Sequence, residues 1–320
     1  MTEPAVHVLS ENEEWLPPFR AAFAAEGVPL VEVSLTDGTI DLDAPPPPGV
    51  WWSRLSASAH TRDHATAKET ARSLLSWAEG WGARTVNGSA VVELEVSKVR
   101  QHAALRAAGF DVPRTVAVFG QDGLAAAARR FEPPFITKHN QGGKGLGVRR
   151  FDDHEAFDAY IASPLFEEPA DGVTLLQELL VAAEPFVTRA EYVGGRFVYA
   201  VRVDTSTGSF ELCPADACVI DPWTGLEIPA FALREGLEGD PLIAAHERFL
   251  RDQGIEIAGI EFIETADGRR VTYDVNTNTN YNPAVEQAAE VPAARVVARF
   301  LGGLLEDSAT ALPAAARPGR

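Results

Sequence analysis

The chain has 320 residues, 46% apolar and 23% charged, the balance of an ordinary globular protein long enough to bury a large core and to divide into more than one domain. Asp and Glu number 46 against 28 Lys and Arg, a formal charge of -18 that opposes non-specific attraction to nucleic acid or to an anionic membrane, so neither is expected as a partner. No stretch approaches the roughly 18 to 20 uninterrupted apolar residues of a membrane-spanning helix, and the N-terminus lacks a basic region followed by an apolar run, so a cytoplasmic location is expected. The two cysteines, Cys213 and Cys218, are too few for a disulfide framework or a four-ligand zinc site and read as core or near-surface thiols.

Val6 to Leu9 reads as a strand, Trp15, Phe19, Ala22 and Phe23 recur at helical spacing up to a capping Gly27, and Pro29 to Leu35 is a second strand. This βαβ opening is typical of a doubly wound α/β layer. The four prolines between Asp43 and Gly49 mark a stiff surface connection before an apolar strand from Val50 to Arg54. Ala67, Ala71, Leu74 and Ala78 form a helical stripe, and a second stripe of Val92, Val96, Val99, Ala103 and Ala107 runs to Gly109 with Lys98 on a different face. A new domain is expected near Val92. Strands at Pro113 to Val118 and Phe135 to Lys138 alternate with helices ending at Ala128 and at Ile161. From Val173 strands predominate: Val173 to Leu179, Phe186 to Tyr192, Arg196 to Val203, Ile255 to Ile263 and Arg270 to Val275, with one helix at Pro241 to Gln253. After Glu306 the Ala, Pro and Gly content suggests a frayed tail.

The segment Gln141 to Gly147 is the densest glycine cluster, and glycines let backbone N–H groups approach phosphate oxygens closely. It is not a Walker A loop, since Val148 and Arg149 follow the last glycine, nor a dinucleotide fingerprint, since a second strand rather than a helix follows it. A hairpin tip folding over phosphates fits, and for the loop alone a solvated turn fits as well. Lys138 shifts that balance, because it ends an apolar strand where its ammonium could reach a phosphate. Further on, Asp267-Gly268 between alternating runs signals a two-residue hairpin turn. Counting outward pairs Ala266 with Arg269 and sets Glu261 opposite Asp274, with Asn276 on the same face. Opposed carboxylates are destabilising unless compensated, and a hard divalent cation compensates them efficiently. A solvated edge hairpin is the competing reading. Ser53 to His64, with Ser58, His60 and Arg62, reads equally as a substrate-binding loop and as a helix N-cap. Asn278, Asn280 and Tyr281, in an Asn-rich loop, are candidates for the second substrate. The segment Phe210 to Asp216 is a candidate site wall with no specific chemistry, and Cys213 has no visible base to make it a nucleophile.

Lys98, the run Phe135 to Lys138 with its glycine loop, Leu176-Gln177-Glu178-Leu179-Leu180 and Asp274-Val275-Asn276 occur in an order that resembles the ATP-grasp superfamily, most closely its glutamate-ligase-like, RimK-type carboxylate–amine ligases. The resemblance covers roughly Val92 to Pro283. It implies an α/β ATP-grasp fold, two α+β subdomains gripping ATP, behind a βαβ pre-ATP-grasp domain. The expected division is an N-terminal domain at 1–91, a central subdomain with the glycine loop at 92–172, a C-terminal subdomain with the metal site at 173–306 and a disordered tail at 307–320.

The resemblance further implies that Lys98, Lys138 and the loop glycines Gly142, Gly143, Gly145 and Gly147 contact ATP phosphates, that Gln177, Glu178, Leu180 and Val181 hold adenine, and that Glu184 takes the ribose. Arg202, assisted by Arg189, would steady the transferring phosphoryl group, and Glu261, Asp274 and Asn276 would hold magnesium, with manganese as an alternative ion. Here the chain departs from the usual order, with Glu before Asp, and has Val187 where an acid is common. The implied activity joins a carboxylate to an amine, on a small molecule or a peptide, through an acyl phosphate with release of ADP and phosphate. A kinase that stops at phosphoryl transfer and a non-catalytic nucleotide sensor would keep the same nucleotide site. A homodimer is the default for a soluble enzyme.

Overall fold

A computed structural model describes residues 3–143, 145, 147–206, 218–220 and 227–311. The expected site wall at 210–216, with Cys213, lies outside them. The first layer is a parallel sheet of β1 (Ala5–Ser10), β2 (Leu30–Ser34), β3 (Gly49–Ser53) and β4 (Arg84–Val86), ordered β2-β1-β3-β4. A sheet built of βαβ units is covered on both faces, and its strands are apolar on both. Val6, Val8, Val50 and Trp52 pack with α1 (Pro17–Glu26), while Leu9 and Trp51 pack with α2 (Ala67–Gly80). Gly27, at φ 68°, closes α1 in the left-handed conformation that glycine adopts without strain.

The stripe read as one helix from Val92 is two: α3 (Ser89–Glu95) and α4 (Lys98–Ala107). Ser97 divides them, because its hydroxyl accepts from the Arg100 N–H and so caps the second helix. Val92 and Val96 pack toward α2, but Val99 and Ala103 are exposed and Lys98, Gln101, His102 and Leu105 turn inward. Lys98 thus becomes the first residue of a helix rather than a side face of a longer one.

The second layer is an antiparallel sheet of β5 (Thr115–Phe119), β6 (Phe135–His139), β7 (Arg149–Phe151) and β8 (Val173–Glu178), ordered β5-β8-β6-β7. Helices α5 (Leu124–Ala128) and α6 (His154–Ile161) close over Phe135, Phe151 and Phe157. The glycine loop joins β6 to β7 as a hairpin, the context that distinguished it from helix-terminus phosphate loops.

The third layer holds β9 (Phe186–Val193) and β10 (Arg196–Asp204), a separate ribbon of β11 (Cys218–Ile220) and β12 (Glu227–Pro229), and then β13 (Phe231–Arg234), α7 (Pro241–Gln253), β14 (Ile257–Glu264) and β15 (Arg270–Asn276). The main sheet is antiparallel, ordered β13-β10-β9-β14-β15. One face packs on α4 and α7 through Ala190, Tyr192, Ala200, Ile260, Phe262, Leu105 and Phe249. Because side chains alternate along a strand, residues one position removed from these point to the other face.

The β14–β15 hairpin differs from the expected register at its turn and agrees with it at the site. Thr265 N–H donates to Arg269 O and Glu264 pairs with Arg270, so the loop has three residues ending in Gly268 at φ 85°. This is the familiar alternative to a two-residue turn, in which a glycine takes the left-handed position. A bulge between the Phe262–Thr272 and Glu261–Asp274 pairs then inserts Tyr273 and restores the expected opposition of Glu261 and Asp274.

After α8 (Pro283–Ala288), the last described element, α9 (Ala293–Ala311), returns to the first layer. Ala294, Val297, Ala298, Leu301 and Leu305 join Val6, Phe19 and Trp52 in one core. This helix continues past Glu306, into the segment expected as a tail. Among the described residues no helix is long and apolar enough to cross a membrane. Leu301 is fully buried, so Leu301→Ala is expected to lower unfolding stability by about 3 kcal/mol in urea titrations, and a value near zero would show that α9 does not belong to this core.

Candidate functional site

The free face of the five-stranded sheet, the central strands β6 and β8 of the second sheet and the loop after β3 enclose a cavity of about 470 Å³, within the range of small-molecule sites. It has three parts. One end is apolar, with Ile136, Val148, Leu179, Leu180, Val187 and Ile263. Gln177 enters this end with its buried Oε1 free of any hydrogen-bond partner among the described residues. The opposite end is polar, with Trp15, Ser56, Ser58, Glu95, Asn278 and Asn280.

Between the ends lie Lys98, Lys138, Arg189, Glu261, Asp274 and Asn276. Glu261 and Asp274 face each other across β14 and β15, and the Asn276 amide lies 3.4 Å and 3.3 Å from their oxygens. Burial raises Glu261 above the usual carboxylate range, and the neighbouring Asp274 adds to that, outweighing the pull of Arg189. Burial also works to raise Asp274, but Lys98 and Lys138 prevail and hold it low. Two adjacent acids are thus pushed apart by their surroundings.

Both acids already have cationic company. Lys98 forms an ion pair with Asp274. Arg189 donates to Glu261 at 3.3 Å and to Glu191 at 2.7 Å, and also to the Thr279 hydroxyl. Tyr273, the residue inserted by the bulge, donates its phenol to Glu261 at 2.8 Å. Gly259 makes room for this arrangement: a Cβ there would lie 2.7 Å from Arg189 Nε. Lys138 is different, with no ion pair or hydrogen bond among the described residues. Burial and the adjacent Lys98 lower it to about 8.

The donor set fits a hard divalent ion: two carboxylates and an amide oxygen on adjacent strands, the remaining positions open to water and ligand oxygens. Asn276 as placed turns Nδ2 toward the acids, and a flip of the amide presents Oδ1 instead. Among the described residues no three His, Cys, Asp or Glu cluster for a metal, so a metal here needs the amide.

Several expected residues are elsewhere. Arg202 pairs with Thr188 and lies with Ala200 on the α7 side of the sheet, its guanidinium 4.3 Å over Phe186. Strand alternation puts Val201 and Val203, not Arg202, on the cavity face, which leaves Arg189 as the guanidinium at the acids. Glu178 turns away and accepts from the Arg114 N–H at 2.8 Å. Glu184 is exposed and outside the cavity wall. Of the glycines, Gly142, Gly143 and Gly145 line the cavity, whereas Gly147 packs against the His139 ring.

At the polar end, Ser58, Asn278 and Asn280 line the cavity, but Arg62 is held by buried Glu11 at 2.6 Å and lies over Trp15. His60 is half-buried behind the wall, lowered by burial. Tyr281 is a core residue beside Phe19. Sequence reasoning missed Glu95, whose buried carboxylate accepts from Thr277 N at 2.7 Å and Oγ1 at 2.8 Å. It also missed the roles of Tyr273, Thr279 and Arg54. Arg54 carried the signal that marked Lys138, a cation ending an apolar strand.

No family model matches the chain. It is 27% identical over 255 residues, 77% of each chain, to a probable alpha-L-glutamate ligase of Xanthomonas euvesicatoria pv. vesicatoria. Among solved structures it resembles a RimK domain ATP-grasp protein from Sphaerobacter thermophilus, with TM-score 0.65 and 20% identity over 92% of this chain and 98% of that one. The ATP-grasp ligase PsnB, in complex with a minimal precursor, Mg and ADP, matches with TM-score 0.65 and 18% identity over 95% and 99%. The VanG D-Ala:D-Ser ligase of Enterococcus faecalis matches with TM-score 0.67 and 14% identity over 95% and 100%. These likenesses show the fold: the chain has the architecture of the ATP-grasp proteins.

Proposed function

We propose that the chain is an ATP-dependent carboxylate–amine ligase that forms an amide or peptide bond. The observation that carries this reading is the meeting, in one cavity, of the opposed Glu261 and Asp274 with Lys98, Lys138 and Arg189. That mix of cations and paired acids suits a magnesium-bound polyphosphate, and the apolar end suits a flat base. The PsnB ligase, solved with Mg and ADP, shares the fold and supports the nucleotide.

In this reading a substrate carboxylate oxygen attacks the γ-phosphorus of ATP and ADP departs. An amine then attacks the carbonyl carbon of the acyl phosphate. Phosphate leaves with the bonding electrons and accepts the proton that the nitrogen loses. Positioning and charge neutralisation are the main demands of such transfer. Glu261, Asp274 and Asn276 would hold magnesium, which supplies charge neutralisation at the phosphate oxygens. Lys98 exchanges its partner Asp274 for phosphate, Lys138 gains the anion it lacks, and Arg189 steadies the transferring group. The glycine loop covers the phosphates and keeps water from the acyl phosphate. The polar end receives the carboxylate and the amine.

The test is ADP release from Mg-ATP with pooled amino acids and short peptides, with products identified by mass. Substrate-dependent ADP and a condensed product are expected, abolished in Asp274→Asn; a stable phosphorylated product formed without an amine would instead identify a kinase. Arg189→Met should lower kcat by about a hundredfold or more, whereas Arg202→Met should stay within a few-fold of wild type; the reverse ranking would return Arg202 to the site.

Lys138 gives a second check. Its ammonium is buried at a cost of about 3 kcal/mol while it is charged in both folded and unfolded chains, that is, below its folded value of about 8. Between there and its ordinary 10.5 the unfolded chain binds more protons, so wild-type stability rises with pH and the penalty fades. Lys138→Met is therefore expected to melt higher than wild type at pH 7, to lose that advantage by about pH 10, and to bind ADP about tenfold more weakly or worse. A variant that melts lower at pH 7 would contradict the unpaired state of this lysine.

A further inference from the structure

Behind the polar end of the cavity lies a buried cation without a counter-ion. Arg54, 1% exposed, directly follows β3 within the core between the first sheet and α1. Its guanidinium lies 4.1 Å over the Phe19 ring and 5.2 Å from Trp52. Its Nη2 donates to neutral oxygens, Asn280 Oδ1 at 2.6 Å and Thr279 O at 3.3 Å. Among the described residues no carboxylate pairs with it. Glu11, whose charge reaches Arg54 only at a distance, is held by Arg62 at 2.6 Å and by His64 at 3.1 Å. A buried charge without a partner is costly and persists where something else compensates it.

The surroundings have the same deficit. Arg54 Nε, Trp52 Nε1 and the Tyr281 hydroxyl are buried without hydrogen-bond partners among the described residues, and all three residues gather around Phe19. Two of these groups are donors only and the third can donate, so what they lack is acceptors; a carboxylate is acceptor-only, with room for several N–H and O–H bonds. On the cavity side Asn278 has both amide atoms buried and without a partner among the described residues. Arg54 is also linked to the acids: Thr279 presents its carbonyl to Arg54 and its hydroxyl to Arg189, which in turn reaches Glu261.

We infer that Arg54 anchors a substrate carboxylate other than the one activated, with Asn280 Oδ1 holding its place until the substrate arrives. Asn280 lines the cavity, so a turn of its side chain opens the way to the guanidinium. This deepens the ligase reading and rests on it. The anchored group is either the free carboxylate of the amine substrate, as in an amino acid, or a second carboxylate on the acid substrate.

The experiment compares each substrate with its carboxamide at the non-reacting carboxylate, in an amine series and an acid series. KM and kcat are measured by ADP release in wild type, Arg54→Met and Asn280→Ala, with ADP affinity measured separately. In wild type the carboxamide should raise KM about tenfold or more in one series, and that series identifies the source of the anchor. Arg54→Met should lose the discrimination while keeping its ADP affinity. Asn280→Ala, with the placeholder gone, should bind the acid form more tightly without gaining for the carboxamide. Wild-type turnover without discrimination in either series, or discrimination retained in Arg54→Met, overturns the anchor alone. An Asn280→Ala variant that loses acid and carboxamide equally also counts against it. Absence of substrate-dependent ADP release from wild type, with ADP still bound, overturns the ligase reading instead.

Discussion

Two carboxylates facing each other across adjacent antiparallel strands, both buried, are the constraint around which the rest of the site is arranged. Left alone, Glu261 and Asp274 would repel at short range in a poorly solvated place, and one of them would take up a proton. The structure answers with cations delivered from different parts of the chain. Lys98 comes from the first turn of α4 and Arg189 from the neighbouring strand. Lys138 approaches from the second sheet and has no ion-pair partner among the described residues. Lys98 is met by Asp274, and Arg189 by Glu261 and Glu191, so Lys138 is the cation left over at the acids, inside a chain whose net charge is -18. A locally placed cation of this kind is how an acidic protein can hold a polyanion.

The loop after β15 carries this arrangement to the rest of the molecule. Asn87 donates to the carbonyl of Thr277 at 3.1 Å, Glu95 accepts from Thr277, and Arg54 holds Thr279 and Asn280. The strand that carries Asp274 and Asn276 therefore runs directly into a segment held by the first layer and by α3. Buried polar groups that are fully bonded fix a unique arrangement, and those left open mark where a ligand belongs. Here both kinds occur in three consecutive residues: Thr277 and Thr279 are satisfied, while Asn278 has both amide atoms without a partner among the described residues.

Most elements were legible because their periodicities are strong. The helix at Pro241–Gln253 was read to the residue, since Asp240 caps it and Gly254 ends it. The Glu261–Asp274 pairing was legible for a less secure reason. The expected two-residue turn is a three-residue loop, and the bulge at Tyr273 offsets the resulting shift. Two departures from the assumed register cancel at the acids and not at the turn, and a bulge has no reliable local sequence signal. The division at Ser97 was missed because a stripe of valines and alanines at helical spacing looks continuous unless the capping serine is weighed.

The sequence by itself determined the layers, the hairpin context of the glycine loop, and which charged residues end apolar strands, because these depend on local periodicity and turn chemistry. Only the tertiary structure decided which face each charged residue occupies. Arg189 and Arg202 are both arginines on neighbouring strands, yet pairing with Val201 puts one in the cavity and pairing with Thr188 puts the other behind the sheet. Likewise Arg62 and Arg54 share one short segment, but Glu11 reaches the first and no carboxylate among the described residues reaches the second. Facing and partnership are set by contacts between residues far apart in the chain, and composition and spacing carry no record of them.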